Sequence, residues 1–570
     1  MRFTTHIDRR TDSPYLSVAA SGETVLLDAF LNKGDAFTRD EREQLGLIGL
    51  LPDHVASIEE QLGRVRYQYG LKTSEMGKNI YLNGLMDRNE TLFYRFVLEN
   101  LAETVPVIYT PTVATACSHW SRSYRRAHGL YITPRDRGRI KNILRSRSAM
   151  APPVIVVTDN ERILGIGDQG AGGLGIPIGK LALYTAAAGI HPERTIPISI
   201  DVGTNNEELL ADPLYVGYRE RRVRGAEYEG LIDEFVDAVR DVYPGALLQW
   251  EDFANVTSFR NLETHRGRIS SFNDDIQGTA SMVVAGVLTA SRHLGTVASD
   301  HRVVISGAGS AGYGIASYLA FVMIASGLTA EQAWSRLFVL DSKGLLLSDR
   351  GSLDGVKAAL ATDPADISSW DECSNPPSLL DVVRNVQPTV LIGVSGVGGL
   401  FTREVVEEMA HGCERPVILP LSNPTSHSEV TPQDAISWTK GRAIVAAGSP
   451  FAPVVFDGTT HRIGQANNVF IFPGMGLGII TVRAREVTDS MFLEASKALS
   501  SATRLEDVEQ GLLYPHIEDV RDVSRTVAIA VARRAIEDGV ADPVDDVEAA
   551  VEAEMWFPEY TPMRAADETR

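Results

Sequence analysis

Cysteine is scarce in this 570-residue chain: Cys117, Cys373 and Cys413 are the only three, and none forms a CxxC pair. That scarcity argues against a disulfide framework and a thiolate metal site. Positive charge is also in deficit, with 54 lysines and arginines against 74 aspartates and glutamates and a formal net charge of −20. Such a balance disfavours a nonspecific grip on nucleic acid or an anionic membrane, while leaving room for a local basic pocket that takes a small anion. Long apolar runs are missing. GIASYLAFVMIASG, residues 314–327, is too short to span a bilayer, and the opening MRFTTHIDRR lacks the apolar core of a secretion signal. The expectation is a cytoplasmic protein with no membrane or nucleic-acid partner.

What is present is an ordinary globular composition, 44% hydrophobic and 22% charged, which excludes disorder. The length exceeds the roughly 250–300 residues at which single cores stop growing, so two or more domains are expected. From about residue 40 to 150 the pattern is mostly helical, as in DEREQLGLIGL and RNETLFYRFVLENLAETV. From about 151 it changes to short β-branched runs closed by polar or glycine clusters: VIVVTDN, IPISIDVGTNN and LLQWEDF. A second series follows in RVVISGAG, LFVLDSKG, VLIGVSG, PVILPLSNP and AIVAAGSP. Runs alternating with helix-length segments predict an α/β fold with parallel sheets, the second a doubly wound nucleotide-binding domain. Ligands of such sheets sit outside the carboxyl ends of the strands, so the clusters closing each run are where chemistry is sought. The acidic tail after about 535 reads as helical and suits packing or subunit contact.

Two glycine-rich loops compete for a nucleotide. Gly307-Ala308-Gly309-Ser310-Ala311-Gly312 follows an apolar strand and opens a helix. There Gly307 allows the tight turn, Gly309 lets the backbone approach a pyrophosphate, and Gly312 brings helix against strand. Asp341 closes the next apolar run, where a carboxylate accepts hydrogen bonds from ribose hydroxyls, although it lies further on than usual. The other loop, within RILGIGDQGAGGLGIPIGKLALYT at 162–185, follows a run broken by Gly165 and Gly167. It also lacks the glycine and Ser/Thr of a P-loop, having Leu174 and Leu181 instead. What remains is a glycine turn leading into a helix that starts near Pro177, with Lys180 in the first turn. A lysine is electrostatically disfavoured there, so its position asks for a reason.

QWEDF sets Glu251 and Asp252 side by side at the end of an apolar run, and FNDDIQGT does the same for Asp274 and Asp275. Successive strand residues point to opposite faces, so each pair converges only where the strand ends and the backbone turns. Carboxylates gathered at one cleft repel unless a cation or a base compensates, and oxygen ligands without His or Cys indicate Mg2+ or Mn2+.

At this point the sequence resembles the malic enzymes and their near relatives the malolactic enzymes. The matching segments include DRNETLFYR, VIYTPTVATAC, VVTDNERILGIGDQGAGGLGIPIGKLALYT, DVGTNNEELLADPLYVGYR, QWEDFAN, FNDDIQGTA, LSNPTS, GRAIVAAGSPF and GQANNVFIFPGMGLG. They run from about residue 80 to 485. The resemblance implies a helical N-terminal domain (1–127), a discontinuous parallel-sheet domain for substrate and metal (128–274 and 464–535), an inserted Rossmann-like NAD(P) domain (275–463) and a C-terminal tail (536–570). It implies a homodimer or homotetramer.

The same resemblance implies Glu251, Asp252 and Asp275 as ligands of Mg2+ or Mn2+. Lys180 becomes the general base, Tyr109 the general acid, and Asp274 a neighbour that tunes Lys180. Arg162 is implied to bind a malate carboxylate or the cofactor, and Asn423 and Asn467 to help hold substrate and nicotinamide. The activity implied is oxidative decarboxylation of L-malate to pyruvate and CO2 with reduction of NAD(P)+. The alternative is the malolactic reaction, which yields L-lactate and retains the NAD. A silent dinucleotide-binding sensor is a third class, disfavoured by the intact Tyr109, Lys180 and acidic residues. To act as a base Lys180 must be neutral, and a metal and Arg162 are the expected agents that lower its pKa.

Asp341 favours NAD, since a carboxylate repels a 2′-phosphate, while Ser342 and Lys343 keep NADP possible. Arg64 and Arg88 fall where some members bind an activating dicarboxylate. Departures from the common pattern are Ala114, Ala171, Trp250 and the ANVTSFRNLE segment. They bear on substrate fit and rate more than on reaction type.

Overall fold

The structure is a computed structural model that describes residues 2–566 with the exception of Arg9, Arg10, Ser148, Leu164, Ser352, Asp354, Asp371 and Glu372. The N-terminal residues pair as an antiparallel hairpin, β1 (Phe3–Asp8) and β2 (Ser13–Val18). Helices follow: α1 (Ile58–Gly70), α2 (Glu75–Met86), α3 (Glu90–Glu99) and α4 (Leu101–Ile108). Their starts are set by side chains that accept from otherwise unpaired amides. Ser57 and Glu60 form a capping box on α1, Ser74 caps α2 and Asn89 caps α3. The hairpin is absent from the helical reading of this region. Its strands are short and largely exposed, so they carry little hydrophobic periodicity.

The first sheet comprises β3 (Leu130–Ile132), β4 (Val154–Thr158), β5 (Thr195–Ile200), β6 (Leu247–Trp250) and β7 (Ser271–Asn273), all parallel in the order β3-β5-β4-β6-β7. Alternate residues of β4 face different cores: Val154 and Val156 join one cluster, Ile155 and Val157 another. Both faces are therefore covered, as an all-parallel sheet requires. α5 (Gly175–Ala188) crosses from β4 to β5. All of it but Ile178 is buried, and it ends on left-handed Gly189. Because α5 begins at Gly175, ahead of Pro177, Lys180 lies in its second turn rather than its first. α6 (Gly225–Val242) covers the opposite face.

After β7 a π-helical turn, Asp274–Gly278, leads into α7 (Thr279–Leu294). The second sheet then follows: β8 (Val303–Ser306), β9 (Leu337–Asp341), β10 (Gly344–Leu345), β11 (Val390–Gly393), β12 (Val417–Pro420) and β13 (Ile444–Ala447). Beyond a small hairpin of β14 (Val454–Phe456) and β15 (Thr459–His461), the edge strand β16 (Gly464–Gln465) pairs with β13. The sheet order is β10-β9-β8-β11-β12-β13-β16, parallel except at β10. α8 (Ser310–Ala325) leaves β8.

The chain then returns to the first sheet. α9 (Phe472–Thr481) packs on α5, and α10 (Val520–Glu537) packs on α9. The tail forms the expected helix, α11 (Val547–Glu554), and then a strand that was not anticipated, β17 (Met563–Ala565), which pairs with β2. Three residues whose strand character depends on a distant partner carry no local signal. Among the described residues no helix is long and apolar enough to cross a membrane.

Candidate active site

The carboxyl ends of both sheets open on one cleft of about 400 Å3. Lys180 reaches it from α5, itself only 2% exposed. Its ammonium hydrogen-bonds to Asp274 and forms an ion pair with Glu251 at 2.9 Å. It also lies 4.6 Å from the centroid of the Phe472 ring and 5.7 Å from that of Tyr109. Burial alone would strip its proton, but Asp274 and Glu251 outweigh burial and hold its pKa well above the usual lysine value. The neutral amine expected of a base therefore requires that the charge of these acids be offset, the part assigned to a metal.

Glu251, Asp252 and Asp275 each bring a carboxylate oxygen to within 4.8 Å of the others. Two local features make this possible. Asp252 follows the end of β6 in the left-handed region, with φ of 55°, which turns it to the same side as Glu251. The π-helical turn presents Asp275, which accepts from the Asp252 amide at 2.8 Å. Burial pushes the carboxyls of Glu251 and Asp275 up, Lys180 opposes that, and neighbouring acids add to it. Asp274 is fully buried. One of its oxygens accepts from Lys180 and from Asn468 at 2.9 Å, while Oδ1 has no hydrogen-bond partner among the described residues. Three convergent carboxylates and an unserved oxygen beside them form an all-oxygen donor set that fits a hard divalent cation.

On the second sheet the three glycines of the 307–312 loop differ in what surrounds them. A Cβ on Gly307, whose φ is 125°, would press on the Val394 carbonyl, and one on Gly312 would press on the Gly307 carbonyl. At Gly309 the nearest atoms, from Asn255 and Arg162, lie 3.7 Å or more away. The outer glycines are thus required by the turn, and the middle one faces open space where a ligand can approach. Arg162 lines the cleft near Gly309, as do Tyr109, Asn423 and Asn467. Tyr109 ends α4, and burial holds its phenol well above its usual pKa. Asn423 hydrogen-bonds to Ser449, and Asn467 accepts from the Val469 amide at 3.0 Å.

Asp341 ends β9 as expected, yet it does not line the cleft. Its carboxylate takes Arg350, Lys357 and the Lys343 amide. Burial would raise its pKa, and these donors bring it down to about 2 instead.

The glycines of the 170–175 loop have another use. A Cβ on Gly172 would meet the Cys117 carbonyl, one on Gly173 would meet Asn160, and one on Gly175 would meet the Cys117 sulfur. They let α5 begin in a crowded interior and leave no room for a pyrophosphate. Asp168 secures the loop by accepting both Nε and Nη2 of buried Arg222 at 2.7 Å. Elsewhere Arg64 pairs with Asp35 at 2.6 Å, and Arg88 donates to the Gly84 carbonyl at 2.7 Å. Neither lines the cleft. Trp250 is buried, stacked on His265 and edge-on to Phe253.

Residues absent from the sequence reading also matter here. Asn468 supports Asp274, Asn255 accepts from Ser310 at 2.7 Å, and Gln249 donates to Glu251 at 2.8 Å. Gln249 lies in β6 two positions before Glu251, which directly follows the strand, a period-two signal that was there to be read.

Comparison with known proteins gives the family of the chain. Residues 86–266 match the model of the malic enzyme N-terminal domain, and residues 276–536 match that of the malic enzyme NAD binding domain. The chain is 47% identical over 551 residues to the NAD-dependent malic enzyme of Vibrio parahaemolyticus, covering 96% of this chain and 98% of that one. It is 47% identical over 555 residues to the NAD-dependent malic enzyme of Acinetobacter baylyi, covering 97% and 98%. Among solved structures, the malic enzyme of Entamoeba histolytica shares the fold with a TM-score of 0.56 at 24% identity, covering 90% of each chain.

Proposed function

The chain belongs to the malic enzyme family, and from that premise we propose that it catalyses the oxidative decarboxylation of L-malate to pyruvate and CO2 with reduction of NAD+. The observation that carries the reading is buried Lys180, held against Glu251 and Asp274 beside three convergent carboxylates.

When bound, Mg2+ or Mn2+ on Glu251, Asp252 and Asp275 would offset the acids and stabilise charge on the substrate oxygens, and NAD+ would accept the hydride. Arg162 binds a carboxylate of malate and, through its nearness to Gly309, reaches the dinucleotide as well. Lys180 takes the C2 hydroxyl proton as hydride departs, a general-base step. Its amine is free to do so only when the charge of the nearby acids is compensated. Asp274 stays at its side to orient it. Tyr109, whose phenol keeps its proton, donates to C3 of the enolate left when CO2 is lost. Phe472 and the Tyr109 ring exclude water from the ammonium. The amides of Asn423 and Asn467 hold substrate and nicotinamide. Gly307, Gly309 and Gly312 receive the pyrophosphate, and Asp341, bonded to Arg350 and Lys357 at the end of β9, is assigned to the ribose hydroxyls.

The domain division at 1–127, 128–274 with 464–535, 275–463 and 536–570 belongs to the same proposal. The packing of α9 on α5 supports its discontinuity. The test is an assay with L-malate, Mn2+ and either NAD+ or NADP+. Rising absorbance at 340 nm with equimolar pyruvate and CO2, faster with NAD+, supports the reading. Lactate without net NADH replaces it with the malolactic reaction, and no product overturns it.

A further inference from the structure

Four buried side chains form a line, Tyr184, Gln249, Glu251 and Lys180, and the reaction above uses only the last two. Tyr184 lies one turn beyond Lys180 on α5, and its hydroxyl donates to Gln249 Oε1 at 2.5 Å. Gln249 Nε2 donates to Glu251 Oε2 at 2.8 Å, and Glu251 Oε1 faces Lys180 Nζ at 2.9 Å. Gln249 and Tyr184 are both 0% exposed, so no water competes for these bonds. The direction of the chain is forced. A carboxylate only accepts, so the amide nitrogen must face Glu251, and the amide oxygen is then left for the phenol hydrogen. Tyr184 is itself fixed, edge-on to Phe472 at 5.0 Å between ring centroids. It lies so close to α9 that any side chain at Gly476 would collide with its ring.

We propose that Gln249 and Tyr184 are positioning residues for the divalent cation: they hold the Glu251 carboxylate in one orientation through a bond to its Oε2. Metal affinity then depends on two side chains that never touch the metal. The inference rests on the reading that Glu251, Asp252 and Asp275 bind the cation. Partners that orient a metal ligand typically change affinity by about 10–100-fold when removed.

The test is titration of the purified full chain with Mn2+, free ion being followed by electron paramagnetic resonance. Gln249→Met, which keeps volume and removes the donor, is expected to raise the Mn2+ Kd about 10-fold or more. Tyr184→Phe is expected to raise it about 3-fold. The double variant should match Gln249→Met alone, because Tyr184 acts through Gln249. NADH affinity and the unfolding temperature of the metal-free protein should change little, which separates orientation of the ligand from general damage. Wild-type Mn2+ affinity in Gln249→Met, or additive losses in the double variant, overturns the proposal. Where Gln249→Met does not fold, Tyr184→Phe decides by the same two readouts: weaker Mn2+ with unchanged NADH supports the proposal, and unchanged Mn2+ overturns it. Asp275→Asn is the control on the underlying reading. Undiminished Mn2+ binding there sinks the metal site itself, whatever Gln249 does.

Discussion

Glu429 and the group of Glu251, Asp252 and Asp275 are both acid enclosed by protein at the carboxyl ends of sheet strands, yet the fold treats them in opposite ways. Glu429 is 0% exposed, and its Oε1 alone accepts from the Ser395 amide and hydroxyl at 2.9 Å and from the Ser422 hydroxyl at 2.5 Å. These bonds tie the loop after β11 to the loop after β12, which carries Asn423. Dipoles from the protein replace water there, so no cation is needed. At the other group several carboxylates face one another around Lys180, and the neighbouring Asp274 keeps an oxygen with no hydrogen bond among the described residues. An isolated buried acid served by neutral donors is a strut, whereas acids that converge on one another form a donor set suited to a cation.

The contrast can be broken in several places. The largest effect is expected at Lys180. Lys180→Ala should lower kcat by about 10³-fold or more while NADH affinity stays within a few-fold, and normal turnover would end the assignment. Next is the response to metal. At 100 times its Kd, Mn2+ should stabilise the fold by about 2.7 kcal/mol, read as a rise in Tm. That gain should vanish in Asp275→Asn and persist in Glu429→Gln, and any exchange of those two outcomes reverses the comparison. Third, Glu429→Gln should weaken NADH binding about 10-fold by loosening both loops, with Mn2+ affinity unchanged.

The smallest effect concerns a base refused its charge. His191 packs against Phe30 and Trp556, and its Nδ1 accepts from the Glu193 amide. Burial, aided by Arg194, lowers its pKa from 6.5 to about 4. A depressed histidine contributes stability that is complete above 6.5 and lost as pH falls from there towards 4. With its partial exposure the loss should be about 1 kcal/mol, and it should be absent in His191→Gln when unfolding is followed across that range.

Much of the framework was legible because it rests on local pattern. The apolar runs at 154–158, 247–250, 303–306, 337–341, 390–393, 417–420 and 444–447 are all strands. The difference between the two glycine loops was visible too, since only one follows an unbroken strand. What escaped is non-local. β3, β7 and β17 are three residues each and exist through their neighbours. The left-handed turn at Asp252 is one that aspartate tolerates better than most residues, but nothing local requires it there. The pairing of Lys180 with Asp274 and Glu251 rests on distances that spacing along the chain does not encode. Gln249 and Tyr184 were readable in part, as period-two and one-turn neighbours of residues already singled out. Their bond to each other crosses from helix to strand and was not.

The pairing of β17 with β2, Met563 opposite Leu16, has a consequence for biosynthesis. At about 5–20 residues per second, the partner of β2 leaves the ribosome roughly half a minute to two minutes after β2 itself. Throughout that interval Ser13–Val18 presents an open edge to every other nascent copy nearby. Exchange of β17 between chains emerging from one polysome would satisfy the same edge, so this late pairing is a point at which copies can be swapped.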